Sequence, residues 1–148
     1  MMKKAVNPIA LMLAVTVLIS LCACASSNPE AEAAAGTYNF YAVILDGYYV
    51  NVPEFEGRTT VLKADGGGSL DWGDDNQGPI SEWTIDGEKV VIKAGVSVMN
   101  AALKDGILIV ELDNDTMPMS LVFTKDGADT SSIPRISTEE YAAKIGAE

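Results

Sequence analysis

Histidine is absent from this chain of 148 residues, and basic residues are scarce: 10 Lys and Arg stand against 21 Asp and Glu. Without histidine, a Ser-His-Asp or Cys-His mechanism and a His-ligated zinc site are both excluded. The formal net charge of −11 argues against nucleic acid as a partner, because phosphate binding needs a basic surface. It argues equally against a polybasic attachment to anionic lipid.

Long apolar runs are missing except at residues 9–21, which follow the basic pair Lys3 and Lys4. This run is shorter than the roughly 20 residues that a membrane-spanning helix needs. A basic start, a short apolar core and small residues after it are typical of a secretory signal peptide. The alternative, a buried core helix, fits poorly with the polar sequence that follows. We therefore expect residues 1–23 to be a signal peptide.

Cysteine occurs only at Cys22 and Cys24, in the stretch Leu21-Cys22-Ala23-Cys24, which resembles a bacterial lipobox. In that motif an aliphatic residue stands three positions before the lipidated cysteine and a small residue directly before it. Cys24 satisfies both conditions, whereas Cys22 would follow Leu21, which is not small. The alternative, a Cys22–Cys24 disulfide, would strain its ring. The resemblance implies diacylglycerol on Cys24 and a protein held at the extracytoplasmic face of the cell membrane.

The remaining chain divides by composition. Residues 24–36 are small, polar and acidic, which predicts a flexible lipidated tether. A short helix over residues 30–35 would have nothing to bury. From Thr37 onward, short β-branched and aromatic runs alternate with Gly, Asp and Asn. We assign residues 37–125 to a β-barrel domain and residues 126–148 to a C-terminal loop and short helix.

The apolar runs predict strands at residues 37–45, 58–64, 69–72, 80–85, 89–94, 96–103, 107–112 and 117–124. In the first strand, the alternation places Tyr38, Phe40, Ala42 and Ile44 on one face. Asp-Gly pairs at residues 65–66, 86–87, 105–106 and 126–127 tolerate the positive φ angles of tight hairpins, so neighbouring strands should pair antiparallel. No long helical periodicity precedes residue 137, which excludes βαβ units and a parallel sheet.

Near the C-terminus, Ser137 precedes Glu140 by three positions, the spacing of a capping box. This pattern predicts a short helix over residues 138–145. Tyr141 and Ile145 are four residues apart and therefore share one helical face, from which both can dock on the sheet.

Short antiparallel strands of this number must close or form a sandwich to protect their edges. The predicted fold class is all-β: a small antiparallel barrel of about eight strands or a coiled sandwich. The stretch Gly36-Thr37-Tyr38, with residues 62–68, 83–87 and 104–108, resembles bacterial lipocalin-like lipoprotein domains. The resemblance implies a barrel that binds a small apolar ligand or an envelope component. Tyr38 stands where larger lipocalins have Trp, and the strands are shorter than theirs.

Aromatic residues are the candidates for a ligand- or partner-binding site. The loop at residues 46–56 holds Tyr48, Tyr49 and Phe55 in a polar frame and is expected over one mouth of the barrel. Trp72 and Trp83, with methionines at positions 99, 117 and 119, have two interpretations: they line a hydrophobic cavity, or they pack as ordinary core side chains, which methionine commonly does. In the alternative arrangement these side chains fill the barrel, and the protein is an interaction or inhibitor module that binds an envelope protein.

Other clusters do not indicate a metal, a cofactor or catalysis. The acidic stretches at residues 71–76 and 113–115 lack the EF-hand ligand order and fit turns. The carboxylate pairs at residues 54/56 and 82/88 have no defined separation from which to argue glycoside hydrolysis. The glycine run at residues 66–68 is followed by neither the Lys nor the helix of a phosphate loop. We therefore expect a non-enzymatic protein without metal or cofactor.

Overall fold

The computed structural model describes residues 28–73, 77–112 and 119–147. The predicted signal peptide, Cys24 and Met117 lie outside these residues. The strands are β1 (Gly36–Leu45), β2 (Tyr48–Asn51), β3 (Thr59–Leu62), β4 (Gly68–Asp71), β5 (Gln77–Ile80), β6 (Glu82–Asp86), β7 (Lys89–Ala94), β8 (Ser97–Lys104), β9 (Ile107–Leu112), β10 (Met119–Lys125) and β11 (Arg135–Ser137). The helices are α1 (Pro29–Ala34), a 3₁₀ turn (Pro53–Phe55) and α2 (Thr138–Ile145).

Nine strands form a nearly closed barrel in the order β5-β4-β3-β1-β10-β9-β8-β7-β6, with neighbours antiparallel. The predicted all-β barrel is therefore confirmed. In the long strands β8, β9 and β10, every second side chain enters the interior. Within the described parts of the chain, no helix has the length and hydropathy to cross a membrane.

The barrel closes where β5 continues into β6. β5 pairs with β4 and β6 pairs with β7, so this bent segment joins the two edges of the sheet. Between them, the backbone N–H and the hydroxyl of Ser81 both donate to the carbonyl of Lys93, at 2.9 and 3.0 Å. The single strand predicted at residues 80–85 is thus two strands, because the chain changes partners at Ser81.

A β-bulge reverses the alternation within β1. Its pairing with β10 shifts between Phe40 and Ala42. Tyr38 and Phe40 face the main core, and Val43 joins them there, whereas Ala42 and Ile44 belong to a second cluster outside the barrel. The predicted common face is therefore wrong beyond Phe40, since one extra residue moves every following side chain to the opposite face.

The segment after β1 is a hairpin rather than the long loop that we predicted. Asp46 and Gly47 have φ angles of 50° and 81° and form a tight turn, after which β2 pairs with the end of β1. β11 then adds to β2 in parallel. This short parallel pair lies off the antiparallel barrel and involves no βαβ unit. It forms because a parallel pair needs only a long connection, and most of the barrel lies between β2 and β11.

The two ends of the barrel differ, and we name them by their covering. At the closed end lie α1 and the turns at residues 65–66, 86–87 and 105–106. At the open end lie the turns at residues 46–47 and 95–96 and the described ends of β9 and β10.

Helix α1 covers the closed end. Asn28 caps it by accepting a hydrogen bond from the backbone of Glu30, and Pro29 occupies the first turn. Ala34 is 5% exposed and packs in the main core. The Tyr38 hydroxyl donates to the carbonyl of Ala34 at 2.5 Å. The expectation that a helix here would have nothing to bury is therefore wrong, because the end of the barrel supplies the apolar surface.

The C-terminal segment runs along the outside of the barrel. Ile133 is buried against Ala42 and Val122. Helix α2 begins at the predicted capping box, in which Ser137 and Glu140 bond to each other's backbone N–H. Tyr141 docks as expected, but Ile145 is 49% exposed and does not.

Candidate functional site

Side chains fill the barrel from the closed end up to Trp72. Phe123 is fully buried, its ring stacks on Trp72 with centroids 5.6 Å apart, and it meets Phe40 edge-on at 6.1 Å. The indole N–H of Trp72 donates to the buried Thr60 hydroxyl at 2.9 Å. Towards the closed end the fully buried side chains include Tyr38, Leu62, Val90 and Leu108. Trp72 therefore forms a floor, above which the barrel opens.

A pocket of about 1000 Å³ lies above this floor at the open end. Its interior walls are apolar and come from the 3₁₀ turn, β8, β9 and β10: Phe55, Met99, Leu112, Met119 and Leu121. Polar residues line it as well: Asp46 in the turn after β1, and Asn100, Glu111 and Ser120, which alternate outward on β8, β9 and β10. The mixture of an apolar floor and a few polar groups is typical of small-molecule sites.

A second pocket of about 390 Å³ adjoins the first and shares Trp72 and Met99 with it. It lies between β5 and the hairpin of β7 and β8, where Pro79 and Ala94 line it. At the tip of that hairpin Val96 is fully exposed. The two pockets therefore adjoin across the mouth, from the 3₁₀ turn to this hairpin.

The guanidinium group of Arg58 lines the first pocket. The 3₁₀ turn, closed by the backbone bond from Phe55 N–H to Val52 O at 2.9 Å, places the Phe55 ring below that group. The guanidinium carbon lies 3.8 Å from the ring centroid, in cation–π contact. A Cβ atom at Gly73 would come within 3.1 Å of the guanidinium, so glycine at this position leaves room for it.

The predicted aromatic residues separate into different places. Phe55 and Trp72 come together in the mouth. Trp83 is buried at the closed end, where its indole N–H donates to the carbonyl of Lys63 at 2.8 Å. Tyr48 and Tyr49 lie outside the barrel: Tyr48 meets the Tyr141 ring edge-on at 6.2 Å, and Tyr49 packs in the outer cluster.

Sequence reasoning missed Arg58 and the exposed valines Val96 and Val98. A signal for Arg58 existed, since it follows Phe55 by three residues through Gly57, a spacing that suits a tight turn. A signal for Val98 also existed, because Met99 begins the inward alternation of β8 and so directs Val98 outward. Val98 is 64% exposed.

Several titratable groups in the described residues make structural contacts. Burial raises the pKa of the Tyr38 phenol. The hydrogen bond from Tyr141 to Asp46 raises the pKa of Tyr141. Glu82 pairs with Lys93 at 2.7 Å and Glu88 with Lys104 at 3.4 Å. Across residues 28–73, 77–112 and 119–147, no three Cys, Asp or Glu side chains gather as a metal site.

Comparisons with protein-family models, with curated proteins and with solved structures give no match for this chain. The resemblance to lipocalin-like lipoprotein domains therefore rests on the quoted turn residues alone. What the protein binds has to be inferred from the chemistry of the open mouth.

Proposed function

We propose that this protein is a lipid-anchored, extracytoplasmic binding protein, not an enzyme, which holds a small and largely apolar ligand in the open mouth of its barrel. One observation carries the proposal: the barrel is filled up to Trp72, yet a pocket of about 1000 Å³, lined by both apolar and polar side chains, remains at the opposite end from α1. Burying a ligand's apolar surface there supplies the driving force for binding.

The proposed anchor implies how the open end of the barrel is oriented relative to the membrane. The described chain starts at Asn28, beside the closed end. Cys24 is four residues earlier, and four residues of fully extended chain reach roughly 14 Å. An acyl group on Cys24 would therefore hold the closed end near the membrane and turn the mouth away from it.

The anchor is tested by acylation. Replacing Cys24 with Ala is expected to abolish incorporation of labelled palmitate and to release the protein from membranes, because the acyl chains supply the attachment. Replacing Cys22 with Ala is the matched control and should leave both unchanged. Release by Cys22→Ala instead would assign the lipid to the other cysteine, and release by neither would refute the anchor.

Ligand binding is tested by native mass spectrometry on the unacylated Cys24→Ala protein, purified without denaturation and then mixed with dodecanol. We expect a discrete added mass that disappears on denaturation. Met99→Gln places an amide in the apolar wall and should weaken binding about tenfold. Ala102→Gln, on the exposed face of the same strand, should leave it unchanged. A ligand-free mass at every dodecanol concentration would refute the proposal.

A second candidate function is a protein-interaction module, favoured by the exposed side chains of Val96 and Val98 at the rim. Separate variants distinguish the two candidates. If the mouth binds only a small ligand, no crosslink to an envelope protein in intact cells should depend on these valines. If the valines contact an envelope protein, replacing both with Ser should abolish crosslinking to that protein, while Met99→Gln, which weakens dodecanol binding, should retain it.

A further inference from the structure

We propose that the ligand of the open mouth is a monoanionic amphiphile of the alkyl carboxylate class, with its head group on Arg58 and its tail across Trp72 and Met99. This inference rests on the proposed function and names its ligand class. Three features carry it: a cation with unused donors, a built position for that cation, and an apolar path that leads away from it.

Among the described residues, the hydrogen-bond donors of the Arg58 guanidinium find no partner. Within the described parts of the chain no carboxylate lies within ion-pair distance of its guanidinium, and no acceptor bonds to it. Arg135 offers the internal comparison, because it too stacks on a ring, that of Tyr41 at 4.7 Å, yet it also donates to the Tyr41 carbonyl at 3.0 Å. A half-buried guanidinium that lacks such a partner favours an anion from outside.

The position of Arg58 is built by its neighbours. The Phe55 ring occupies one face of the guanidinium at 3.8 Å, and Gly73 lies beside its Nη2 atom, which a Cβ atom there would approach to 3.1 Å. Phe55 is itself held by the Phe40 ring, with centroids 5.4 Å apart. Stacking leaves the N–H edge of the guanidinium available, and this planar fork matches the two oxygens of a carboxylate.

The tail has a defined path. Trp72 and Met99 line both pockets, so an alkyl chain that starts at Arg58 crosses them and continues past Pro79 and Ala94. The exposed Val96 marks the end of this path. A single cation followed by a continuous apolar surface is complementary to a molecule with one charged head and one alkyl tail.

The surrounding charge limits the head group to one negative charge. Asp46 and Glu111 line the same pocket, and the chain carries a net charge of −11. Asp46 accepts the Tyr141 hydroxyl, which satisfies part of its hydrogen-bonding capacity. Repulsion from these two carboxylates is screened by salt over about 8 Å, so the adjacent guanidinium dominates for a monoanion, whereas a multiply charged head would be disfavoured.

The test compares three probes with the same alkyl chain and different heads: dodecanoate, dodecanol and dodecylamine. Binding is measured on the unacylated Cys24→Ala protein that also carries Trp83→Phe, which leaves Trp72 as the fluorescent reporter in the mouth. We expect dodecanoate to bind tightest. Arg58→Gln should weaken dodecanoate binding by about ten- to a hundredfold, as for the loss of a charged hydrogen-bonded pair, and should change dodecanol binding by less than about twofold.

Arg135→Gln is the matched control, since it removes an equally stacked arginine from the outer surface and should leave all three affinities unchanged. Arg58→Lys keeps the charge and should retain a preference for dodecanoate over dodecanol. Near-ultraviolet circular dichroism of Trp72 establishes that each variant is folded. If Arg58→Gln fails this measurement, the ranking of the three probes on the protein that retains Arg58 decides the assignment.

The outcomes separate this inference from the proposed function. Equal affinity for dodecanol and dodecanoate, unchanged in Arg58→Gln, would overturn the head-group assignment and leave the apolar site standing. If dodecylamine binds tightest, the head-group assignment is also overturned, because the carboxylates of Asp46 and Glu111 rather than Arg58 would then select the head group. Binding of no probe would overturn both proposals. Sedimentation with anionic phospholipid vesicles, dependent on Arg58, would identify a membrane head group rather than a free amphiphile and would likewise overturn the assignment.

Discussion

The two ends of the barrel use aromatic residues in opposite ways. At the closed end, Tyr38 and Trp83 are buried and each donates its polar hydrogen to a backbone carbonyl, that of Ala34 and that of Lys63. At the open end, Phe55 lines a pocket and carries a guanidinium on its ring. A buried aromatic residue with a satisfied polar tip stabilises the fold, whereas an aromatic surface beside an unused donor is suited to binding.

The difference also assigns separate tasks to separate regions. The closed end combines helix α1 with tight glycine turns and leaves little apolar surface to solvent. The open end leaves Val96 and Val98 exposed and keeps Met99 and Met119 only partly buried. Substitutions at the two ends should therefore differ in kind: at the closed end they should reduce stability, and at the open end they should alter binding with little change in stability.

The largest effect is expected where the two regions meet, at Phe123. Its replacement by Ala removes a fully buried ring that stacks on Trp72, so the free energy of unfolding should fall by about 3–5 kcal/mol. Urea denaturation measures this change. Val98→Ala, at an exposed position of the open end, should change the same quantity by less than about 0.5 kcal/mol. Similar losses of unfolding free energy in both variants would mean that the interior below Trp72 is not tightly packed.

A pair of glycine substitutions compares the two ends directly. A Cβ at Gly68, at the closed end, would collide with the carbonyl oxygen of Val61, whereas a Cβ at Gly78, towards the open end, would meet nothing within 4 Å. Gly68→Ala should lower the free energy of unfolding by about 1–3 kcal/mol, as overpacking does. Gly78→Ala should change it by less than about 0.5 kcal/mol. Thermal unfolding measures the stability of both variants. A greater loss of stability in Gly78→Ala than in Gly68→Ala would contradict the contrast between the closed and open ends.

A smaller effect is expected from Tyr38→Phe. The change removes the hydroxyl that donates to the Ala34 carbonyl and should cost about 1 kcal/mol. Hydrogen exchange at the amide of Ala35, which bonds to Ala31 O within α1, should accelerate. Tyr41→Phe is the control, because its hydroxyl donates to Ile133 outside the barrel and its loss should leave α1 unchanged. Unchanged exchange in both variants would show that the Tyr38 bond does not hold the helix.

The smallest effect concerns pH and the attachment of α2. The hydrogen bond to Asp46 raises the pKa of Tyr141 above its ordinary value of 10.0. A pKa that is raised on folding adds stability that is complete below pH 10.0 and is lost as the pH rises through the raised value. Helix α2 should therefore loosen only in alkaline solution, which NMR shifts of the adjacent Tyr48 ring would report. In Tyr141→Phe this alkaline step should disappear, and its persistence would assign it to another group.

Prediction from the sequence succeeded where the determinants are local. The capping box of Ser137 and Glu140 predicted α2 with its observed bounds because both partners lie within one helical turn. The Asp-Gly turns and the alternating strands predicted an antiparallel barrel. Asp46-Gly47 carries the same turn signal and forms a hairpin, so β2 was predictable too, although we assigned this segment to a loop.

Prediction failed where distant segments decide. The bulge in β1 reflects its register with β10, and Ser81 bends where two edges of the sheet must meet. The candidate site was likewise only partly predictable from the sequence. Phe55 and Trp72 were found from their residue type, but Arg58 became a site residue only when the 3₁₀ turn placed a ring beneath it. In sequence, an arginine in a turn resembles any solvated charge.

The sequence by itself determined the all-β class, the capped C-terminal helix, the absence of histidine chemistry and a lipobox-like stretch ending at Cys24. These follow from composition and from residues close together in the chain. Only the tertiary structure decided which end of the barrel is covered, how far its interior is filled, and that Arg58 lines the open pocket beside Phe55. Those properties depend on side-chain volumes and contacts between residues far apart in sequence, which periodicity does not encode.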